Sequence, residues 1–429
     1  MLLRFTFSNF RSFRAAQEFS MIAGSFKDHR DALANVAAIP EPILLSAALY
    51  GANASGKSNV LLALRFMASI VQFSHSTWLP DRKIPRQPFA ADQERTVPSE
   101  FTVDFLTGGI RYQYGFAVSD TEVVEERLYA YPKGKRQTWF TRHQGKSMTF
   151  SEKLQGENRT IEALVRPNSL FLSAAAQNNH PALLPIYRWF SQSLSFVFGE
   201  RTQWKQGTVE QCANAEYRDA IIRMLGFADL GITDLQVSES AISERAKKFA
   251  LDFRTLFKSE IGVAPPFEIN EGIKRIRLLH RLGDSVVPFD PNQESDGTIA
   301  YLTLLAPILS AFRNGGVVCI DELDASLHPL LAMRLIQLFN DPALNPHSAQ
   351  LIFNTHDTNL LSGGLLRRDQ IWFVEKKPDG ASQIYPLSDF KPRKEENLAN
   401  GYLQGRYGAI PFLNADCLAA DRDVEQKKT

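Results

Sequence analysis

"PILLSAALYGANASGKS", residues 42–58, decides the fold of this chain of 429 residues. Its first nine residues are almost all apolar, which is typical of a buried central strand. Gly51, Gly56, Lys57 and Ser58 then fit the pattern G-x-x-x-x-G-K-[ST], and an apolar helix follows. A buried strand, a glycine-rich loop and a helix in this order predict a phosphate-binding loop in an α/β fold.

The residue types of this loop indicate its ligands. Glycines let backbone N–H groups close around phosphate oxygens, the Lys57 ammonium would reach the β- and γ-phosphates, and the Ser58 hydroxyl would hold Mg²⁺. The sequence contains no guanine-reading N/T-K-x-D stretch, which favours ATP over GTP. We therefore predict ATP and Mg²⁺ as cofactors.

Two adjacent acids follow a second buried strand, in "GGVVCIDELD". Asp321 and Glu322 stand where the strand ends, and open α/β sheets bind ligands at the carboxyl ends of their strands. Asp321 would hold Mg²⁺ through water, and Glu322 would activate the attacking water. A solvated strand end is the alternative, but the phosphate loop in the same chain favours the catalytic interpretation.

A third apolar run, "LIFNTHD", ends in polar residues, with His356 two residues after Asn354. A neutral imidazole at the end of a neighbouring strand would hydrogen-bond a γ-phosphate oxygen or the attacking water. A lone histidine is more often structural, but its place after the two carboxylates favours a catalytic role for His356.

A second anion-binding helix start is suggested by "ESDGTIAYLTLLAPIL", which begins at Glu294. Ser295 and the backbone at Gly297 would face an anion, assisted by the helix dipole. Ser and Asp also favour helix N-caps, so an ordinary capped helix is the alternative.

The order of these motifs resembles the ABC-type ATPases. The stretches "NFRSF", "GANASGKS", "ESDGT", "DELDASLHP" and "FNTHD" are similar to the RecF/SMC/OLD branch. With "DQIWFVEK" and "GYLQGRYGAIP", the chain most resembles compact AAA-family ATPases of the Rlo and Abi type, found in abortive-infection systems against phage. The resemblance implies an α/β, ABC-type P-loop ATPase head, with an antiparallel β meander in lobe one and a short helical lobe.

The resemblance also implies a head-to-tail dimer, in which the signature helix caps ATP held by the partner subunit. Ser295 and Gly297 would then act on the partner's nucleotide. Arg11 would lie near the phosphates, Asn53 would sit in the phosphate loop, and Asn59 would complete the ATP-binding residues. In this family, ATP binding closes the dimer and hydrolysis reopens it.

A Q-loop glutamine in this family touches Mg²⁺ and senses movement between lobes. Gln177 is assigned to this role because it follows the strands of the meander, and Gln87 is the alternative. Two positions depart from the family pattern. Asp296 replaces a glycine of the signature, and His328 stands where transporters carry the D-loop aspartate.

Composition limits the cellular setting. The net charge is +1, so binding to nucleic acid or membrane would need a local patch. Three scattered cysteines, Cys212, Cys319 and Cys417, indicate a reducing compartment. The N-terminus lacks the apolar core of a signal peptide, and the longest apolar run, about 14 residues, is shorter than the ~20 of a membrane span. We predict a cytoplasmic protein without membrane contact.

The hydrophobic pattern predicts the order of elements. Alternation over 100–152 indicates an antiparallel meander, 182–260 reads as mostly helical, and 268–290 returns to strand alternation. The last dozen residues are polar and are expected to fray. The predicted domains are a first ATPase lobe (1–180), a helical or variable lobe (181–290), the second half of the ATPase (291–413) and a tail (414–429).

By family analogy, the expected function is an ATP-hydrolysing dimeric switch that senses or regulates in an anti-phage system. It would act on an effector protein, expected to be a nuclease encoded nearby. A RecF-like DNA-repair ATPase and a scaffold that hardly hydrolyses ATP are the alternatives. The basic stretch 133–146 could contact nucleic acid, although a solvated hairpin is favoured. Only 73 residues follow His356, and we therefore expect no Toprim nuclease of the kind that OLD enzymes carry.

Overall fold

The chain was examined as a computed structural model, which describes residues 1–91, 96–199, 204–241, 245, 248–249, 251–252, 255, 272–362 and 364–411. The chain divides into two compact units. The first comprises Met1–Phe198, Ala311–Asp324 and Ala332–Thr429, and the second comprises Gly199–Ser310 and Ala325–Leu331. The domain boundaries drawn from the sequence stay predictions.

Strands and helices are numbered in chain order. The strands are β1 Leu2–Ser8, β2 Gln17–Ser20, β3 Leu33–Ala34, β4 Ile43–Leu44, β5 Ser46–Tyr50, β6 Ser99–Thr107, β7 Ile110–Val118, β8 Val123–Tyr131, β9 Gln137–His143, β10 Thr149–Phe150, β11 Leu194–Val197, β12 Ile232–Ala241, β13 Gly272–Leu282, β14 Ser285–Phe289, β15 Val317–Ile320, β16 Gln350–Asn354, β17 Ile371–Lys376 and β18 Ser382–Pro386. The helices are α1 Lys57–Phe73, α2 Asn158–Glu162, α3 Phe171–Gln177, α4 Leu184–Gln192, α5 Trp204–Ala213, α6 Ala215–Phe227, α7 Asp296–Asn314, α8 Pro329–Asn340 and α9 Leu398–Leu403.

A six-stranded sheet in the first unit carries the predicted phosphate loop. Its order is β11-β15-β16-β5-β17-β18, with parallel pairing throughout except for the β17–β18 hairpin. Every residue of β5, β15 and β16 is buried, as their apolar sequences predict. Because these strands are parallel neighbours, their carboxyl ends meet at one edge of the sheet, with β16 between β15 and β5.

A seven-stranded antiparallel sheet in the same unit confirms the predicted meander. Its order is β10-β9-β8-β7-β6-β1-β2, so the first two strands of the chain extend the run of β6 to β10. The alternation at the N-terminus is confirmed, because Leu3, Phe5 and Phe7 are fully buried whereas Arg4 is exposed. Helix α1 brings Phe66 onto this sheet, 5.2 Å from Phe101 between ring centroids.

The second unit contains strands as well as helices. A three-stranded antiparallel sheet, β12-β13-β14, accompanies α5, α6 and the first part of α7. The strand alternation predicted for 268–290 is confirmed in β13 and β14. The expectation of mostly helix over 182–260 holds for α4, α5 and α6 and is wrong for β11 and β12; part of 239–260 lies outside the described residues.

A bulge in β12 gives two of its buried residues a spacing typical of a helix. Ile232 and Leu235 are both buried although they are three residues apart, a spacing that favours one face of a helix. The register between β12 and β13 shifts between Ile232 and Asp234, which brings both side chains to the same face of a strand. Local spacing therefore mimics a helix where strand pairing decides the structure.

Two further features of the described residues bear on the setting of the protein. None of the described helices combines the length and hydropathy that a membrane span needs. Cys212 and Cys319 are free and buried, while Cys417 and the polar tail lie outside the described residues.

Candidate active site

The phosphate loop connects β5 to α1 and is shaped by close backbone packing. Gly56 has φ 110°, a conformation that L side chains rarely adopt. A Cβ atom there would lie 2.7 Å from Ser12 Oγ and 2.8 Å from Ser382 Oγ. Only glycine fits this position, because both the backbone angle and the close neighbours exclude a side chain. Asn53 lies exposed in the same loop.

The Lys57 ammonium lies at the centre of the loop. Nζ donates to the carbonyl oxygen of Gly51 at 2.9 Å and to that of Ala52 at 3.1 Å. Burial lowers the pKa of Lys57 to about 8, while the carboxylates of Glu322, Asp321 and Asp324 act in the opposite direction. Lys57 is therefore mostly charged at neutral pH and is bound to groups that a phosphate can replace.

Asn354 connects the phosphate loop to the two predicted carboxylates. Its Nδ2 donates to Asp321 Oδ1 and lies 3.4 Å from Ser58 Oγ. Its Oδ1 accepts a hydrogen bond from the Glu322 backbone N–H at 2.5 Å. The sequence predicts no role for Asn354, which served there only to locate His356. In the structure its side chain bonds Ser58, Asp321 and Glu322.

The turn after β15 presents Glu322 to solvent. Glu322 has φ 54°, in the left-handed region, and its side chain is exposed. The next residue, Leu323, is buried and donates its N–H to the Asn354 carbonyl at 3.1 Å. The backbone of the turn is thus fixed by Asn354, while the Glu322 carboxylate makes no hydrogen bond to the described residues and is available to act as a general base.

His356 lies beside a third carboxylate that the sequence left without a role. The His356 N–H is 3.4 Å from Asp324 Oδ2, while the buried Asp324 Oδ1 accepts no hydrogen bond from the described residues. Burial and then the Lys57 ammonium lower the pKa of His356, opposed by Asp324 and Glu322. The lowered pKa favours the neutral imidazole, which is the form expected to hydrogen-bond a phosphate oxygen or the attacking water.

Arg11 contacts the first turn of α1. Its Nη1 donates to Asn59 Oδ1 at 3.2 Å, and its Nε donates to Gln87 Oε1 at 2.5 Å. The Arg11 N–H also donates to the Gln87 carbonyl at 2.6 Å. Gln87, the alternative Q-loop residue, is therefore linked through Arg11 to the start of α1, whereas Gln177 is the last residue of α3; both glutamines are exposed.

Ser295 and Gly297 have roles within their own unit. Ser295 Oγ accepts the Thr298 N–H at 3.1 Å and lies 2.9 Å from Thr298 Oγ1, so Ser295 caps α7. A Cβ on Gly297 would lie 2.8 Å from the Ser326 carbonyl oxygen, which only glycine avoids. Ser295 and Asp296 are exposed, and their action on a partner's nucleotide stays a prediction.

An aromatic cluster supports the start of the phosphate loop. The ring of Tyr402 on α9 lies 5.8 Å from Tyr50, the residue before Gly51, and 5.4 Å from Phe373, and the Tyr402 hydroxyl donates to the Ala409 carbonyl at 3.2 Å. Tyr402 belongs to "GYLQGRYGAIP", one of the stretches that carry the family resemblance. The sequence predicts no role for the residues of this stretch.

Residues 46–362 match the family described as "AAA domain, putative AbiEii toxin, Type IV TA system". The match spans nearly three quarters of the chain, and the chain belongs to this family. Together with the loop geometry, this membership defines a P-loop ATPase domain in a mixed α/β fold with an antiparallel sheet. No protein in the comparison with curated proteins matches the chain.

Solved structures similar to the chain include heads of SMC proteins. An SMC head bound to the C-terminal winged-helix domain of ScpA has a TM-score of 0.44 and 13% identity, covering 91% of this chain and 99% of that one. The SMC head domain from Thermotoga maritima has a TM-score of 0.40 and 13% identity, covering 90% and 98%. An SMC head with an extended coiled coil, bound to the C-terminal domain of ScpA derived from Pyrococcus furiosus, has a TM-score of 0.40 and 12% identity, covering 91% and 97%.

Proposed function

We propose that this chain binds ATP with Mg²⁺ at residues 51–58 and hydrolyses it to ADP and phosphate. The observation that supports this most directly is the contact of one side chain, Asn354, with both Ser58 and Asp321. The loop that would hold the phosphates and the carboxylates that would serve the reaction therefore lie side by side at one edge of the sheet.

The residues at this edge suit Mg²⁺. Ser58 offers a hydroxyl oxygen and Asp321 a carboxylate oxygen, and Mg²⁺ prefers such hard oxygen ligands together with phosphate oxygens and water. Ser58 and Asp321 would hold the ion, and the bound ion would neutralise charge on the phosphates. The predicted third ligand, a Q-loop glutamine, is better placed at Gln87 than at Gln177, because Gln87 bonds Arg11 beside the loop.

Each reacting group then has a defined task. Lys57 exchanges its bonds to the Gly51 and Ala52 carbonyls for bonds to phosphate oxygens. Glu322 accepts a proton from water as the water oxygen attacks the γ-phosphorus, and the bond to the β–γ bridging oxygen breaks to give ADP and phosphate. The neutral His356 would donate to a γ-phosphate oxygen, and Arg11 would place a second cation beside the loop.

We further propose the head-to-tail dimer that the motif order implies. Support comes from the exposed positions of Ser295 and Asp296 at the N-terminus of α7, a helix end that favours anions. ATP that contacts both subunits would favour the closed dimer, because a ligand shifts an equilibrium toward the state that it binds better.

The proposed biological role is a sensor or regulator in an abortive-infection system, acting on an effector protein, for which we favour a nuclease. The family description, which names a putative AbiEii toxin and a type IV toxin–antitoxin system, supports a role of this class. Co-purification of the chain with the products of adjacent genes, with and without ATP, would test it. Failure of any such product to bind in either state would argue against an effector encoded nearby.

The basic stretch 133–146 does not add nucleic acid binding to this proposal. Arg142 donates to the Ser169 carbonyl at 2.7 Å, and Arg136 lies 4.0 Å from the centre of the Tyr129 ring. These two cations contact other groups of the chain, whereas Lys133, Lys135 and Lys146 are exposed, as expected for the solvated hairpin that we favour over the RecF-like alternative.

Hydrolysis is tested by comparing the wild type with Glu322→Gln. We expect Mg²⁺-dependent release of phosphate by the wild type and a loss of about 10²- to 10⁴-fold in the variant, because an amide cannot act as a general base. ATP binding, measured by calorimetry, should be retained. Equal turnover by the two proteins would overturn the assignment of Glu322, and no turnover by the wild type would favour the nucleotide-dependent scaffold.

A further inference from the structure

Asn354 is a buried polar residue at the junction of the site. It is the last residue of β16 and is fully buried. Its strand lies between β15, which ends before Asp321, and β5, which ends before the phosphate loop. The order of strands therefore places the side chain at the carboxyl end of β16 between the phosphate loop and the two carboxylates.

The partners of Asn354 fix the orientation of its amide. A backbone N–H needs an acceptor, so the atom facing the Glu322 N–H is Oδ1. A carboxylate needs a donor, so the atom facing Asp321 Oδ1 is Nδ2. The two assignments agree, and the same Nδ2 points to the Ser58 hydroxyl at 3.4 Å.

We propose that Asn354 is a positioning residue that couples the two Mg²⁺ ligands to the general base. This inference rests on the function proposed above. The amide nitrogen orients the carboxylate of Asp321 and the hydroxyl of Ser58, and the amide oxygen holds Glu322 in its left-handed conformation. One side chain thereby sets the direction of the metal ligands and of the carboxylate that activates water.

The two hydrogen bonds of Asn354 explain why the neighbouring residues Asp321 and Glu322 would have different roles. Asp321 is tied to Asn354 through its side chain, whereas Glu322 is tied through its backbone. The side chain of Asp321 is thus fixed toward Ser58, and that of Glu322 stays free for water. Residues that orient metal ligands in this way typically change metal affinity or activity about 10- to 100-fold when they are replaced.

The test uses Asn354→Leu, which keeps the approximate size of the side chain and removes both polar groups. Asn345→Leu is the matched control, because Asn345 is also buried and makes three hydrogen bonds, all to the backbone of Phe339 and Ala349. Both variants lose a satisfied buried amide, but only the first loses it beside Ser58 and Asp321.

Three quantities are measured for each folded variant: binding of ATP in EDTA, binding of Mn²⁺ to the ATP complex by electron paramagnetic resonance, and kcat with KM for ATP. For Asn354→Leu we expect nearly unchanged ATP binding in EDTA, because Lys57 and the loop are intact. Mn²⁺ affinity and kcat should each fall about tenfold or more. Asn345→Leu should retain wild-type values for all three.

The outcomes separate this inference from the function on which it rests. A wild type without turnover would remove the proposed function, whatever the variants do. A wild type that turns over, with unchanged Mn²⁺ affinity and kcat in Asn354→Leu, would overturn the positioning role alone. If Asn354→Leu does not fold, Asn354→Ser replaces it; serine is too short to reach both Asp321 and the Glu322 N–H, so the same losses are expected, and their absence is equally decisive.

Discussion

Lys57 holds the loop to which it belongs: its Nζ donates to the carbonyl oxygen of Gly51 at 2.9 Å. Gly51 begins the loop and Lys57 begins the helix that follows, so this bond closes the loop on itself. Two backbone carbonyls satisfy the cation only partly, because an ammonium has three donors and phosphate is a charged acceptor. The arrangement is therefore suited to exchange its internal partners for a nucleotide.

Replacing Lys57 by Ala should abolish ATP binding. The variant removes the ammonium that would meet the β- and γ-phosphates, and hydrogen bonds to charged groups contribute about 1.5–3 kcal/mol each. Calorimetry with ATP measures the loss, and Lys153→Ala, which removes an exposed lysine, serves as the control. Tight ATP binding by the Lys57 variant would place the nucleotide elsewhere.

Gln87→Ala should impair turnover more than Gln177→Ala. Both glutamines are exposed, but Gln87 bonds Arg11, which in turn bonds Asn59 in the first turn of α1, whereas Gln177 ends α3. The two variants make the same chemical change, so each controls for the other in steady-state ATPase assays over a range of Mg²⁺ concentrations. A larger defect in Gln177→Ala would restore the assignment made from the order of motifs.

Ser295 should act on the partner's nucleotide. Lys57→Ala and Ser295→Arg each break both composite sites of a homodimer, but their head-to-tail heterodimer contains one site with both lesions and one with neither. Mixing the variants should therefore restore part of the ATPase rate, or at least ATP-dependent dimerisation if both sites must act together. With subunit exchange confirmed, a mixture that recovers neither would show that "ESDGT" does not serve a partner.

His180 should make stability depend on pH. Its Nδ1 accepts the Leu183 N–H at 3.3 Å and its Nε2 faces Asn158 Oδ1 at 3.1 Å, which together fix a neutral tautomer. Burial lowers the pKa of His180. Below the unfolded pKa of about 6.5 the unfolded chain takes up the proton first, so stability falls as pH decreases, by at most about 1.4 kcal/mol per pH unit.

Urea unfolding of the wild type and His180→Gln from pH 7.5 to 5 measures this contribution. Carboxylates and other histidines contribute to the pH dependence of both proteins. The informative quantity is therefore the difference between the free energies of unfolding of the wild type and the variant at each pH. The free energy of unfolding should fall less steeply for the variant below pH 6.5. Parallel curves would show that His180 takes up a proton in the folded protein as readily as in the unfolded chain.

Local patterns in the sequence were enough for the β5–loop–α1 unit and for the buried strand before Asp321, because their signals lie within a few consecutive residues. Asn354 was not found, since a buried asparagine gains meaning only when the sheet order places β16 between β15 and β5. The assignment of Gln177 rather than Gln87 rests on order along the chain, which gives no distance between residues, and it stays a prediction. In β12, a bulge gave two buried residues a helical spacing.

The contact of Tyr402 with Tyr50 has a consequence for biosynthesis. Tyr50 leads directly into the phosphate loop, but the ring that packs against it, 5.8 Å away between centroids, belongs to a helix about 350 residues further along the chain. This support is missing from a nascent chain until α9 has left the ribosome. A shorter nascent chain should therefore bind ATP more weakly than the folded protein.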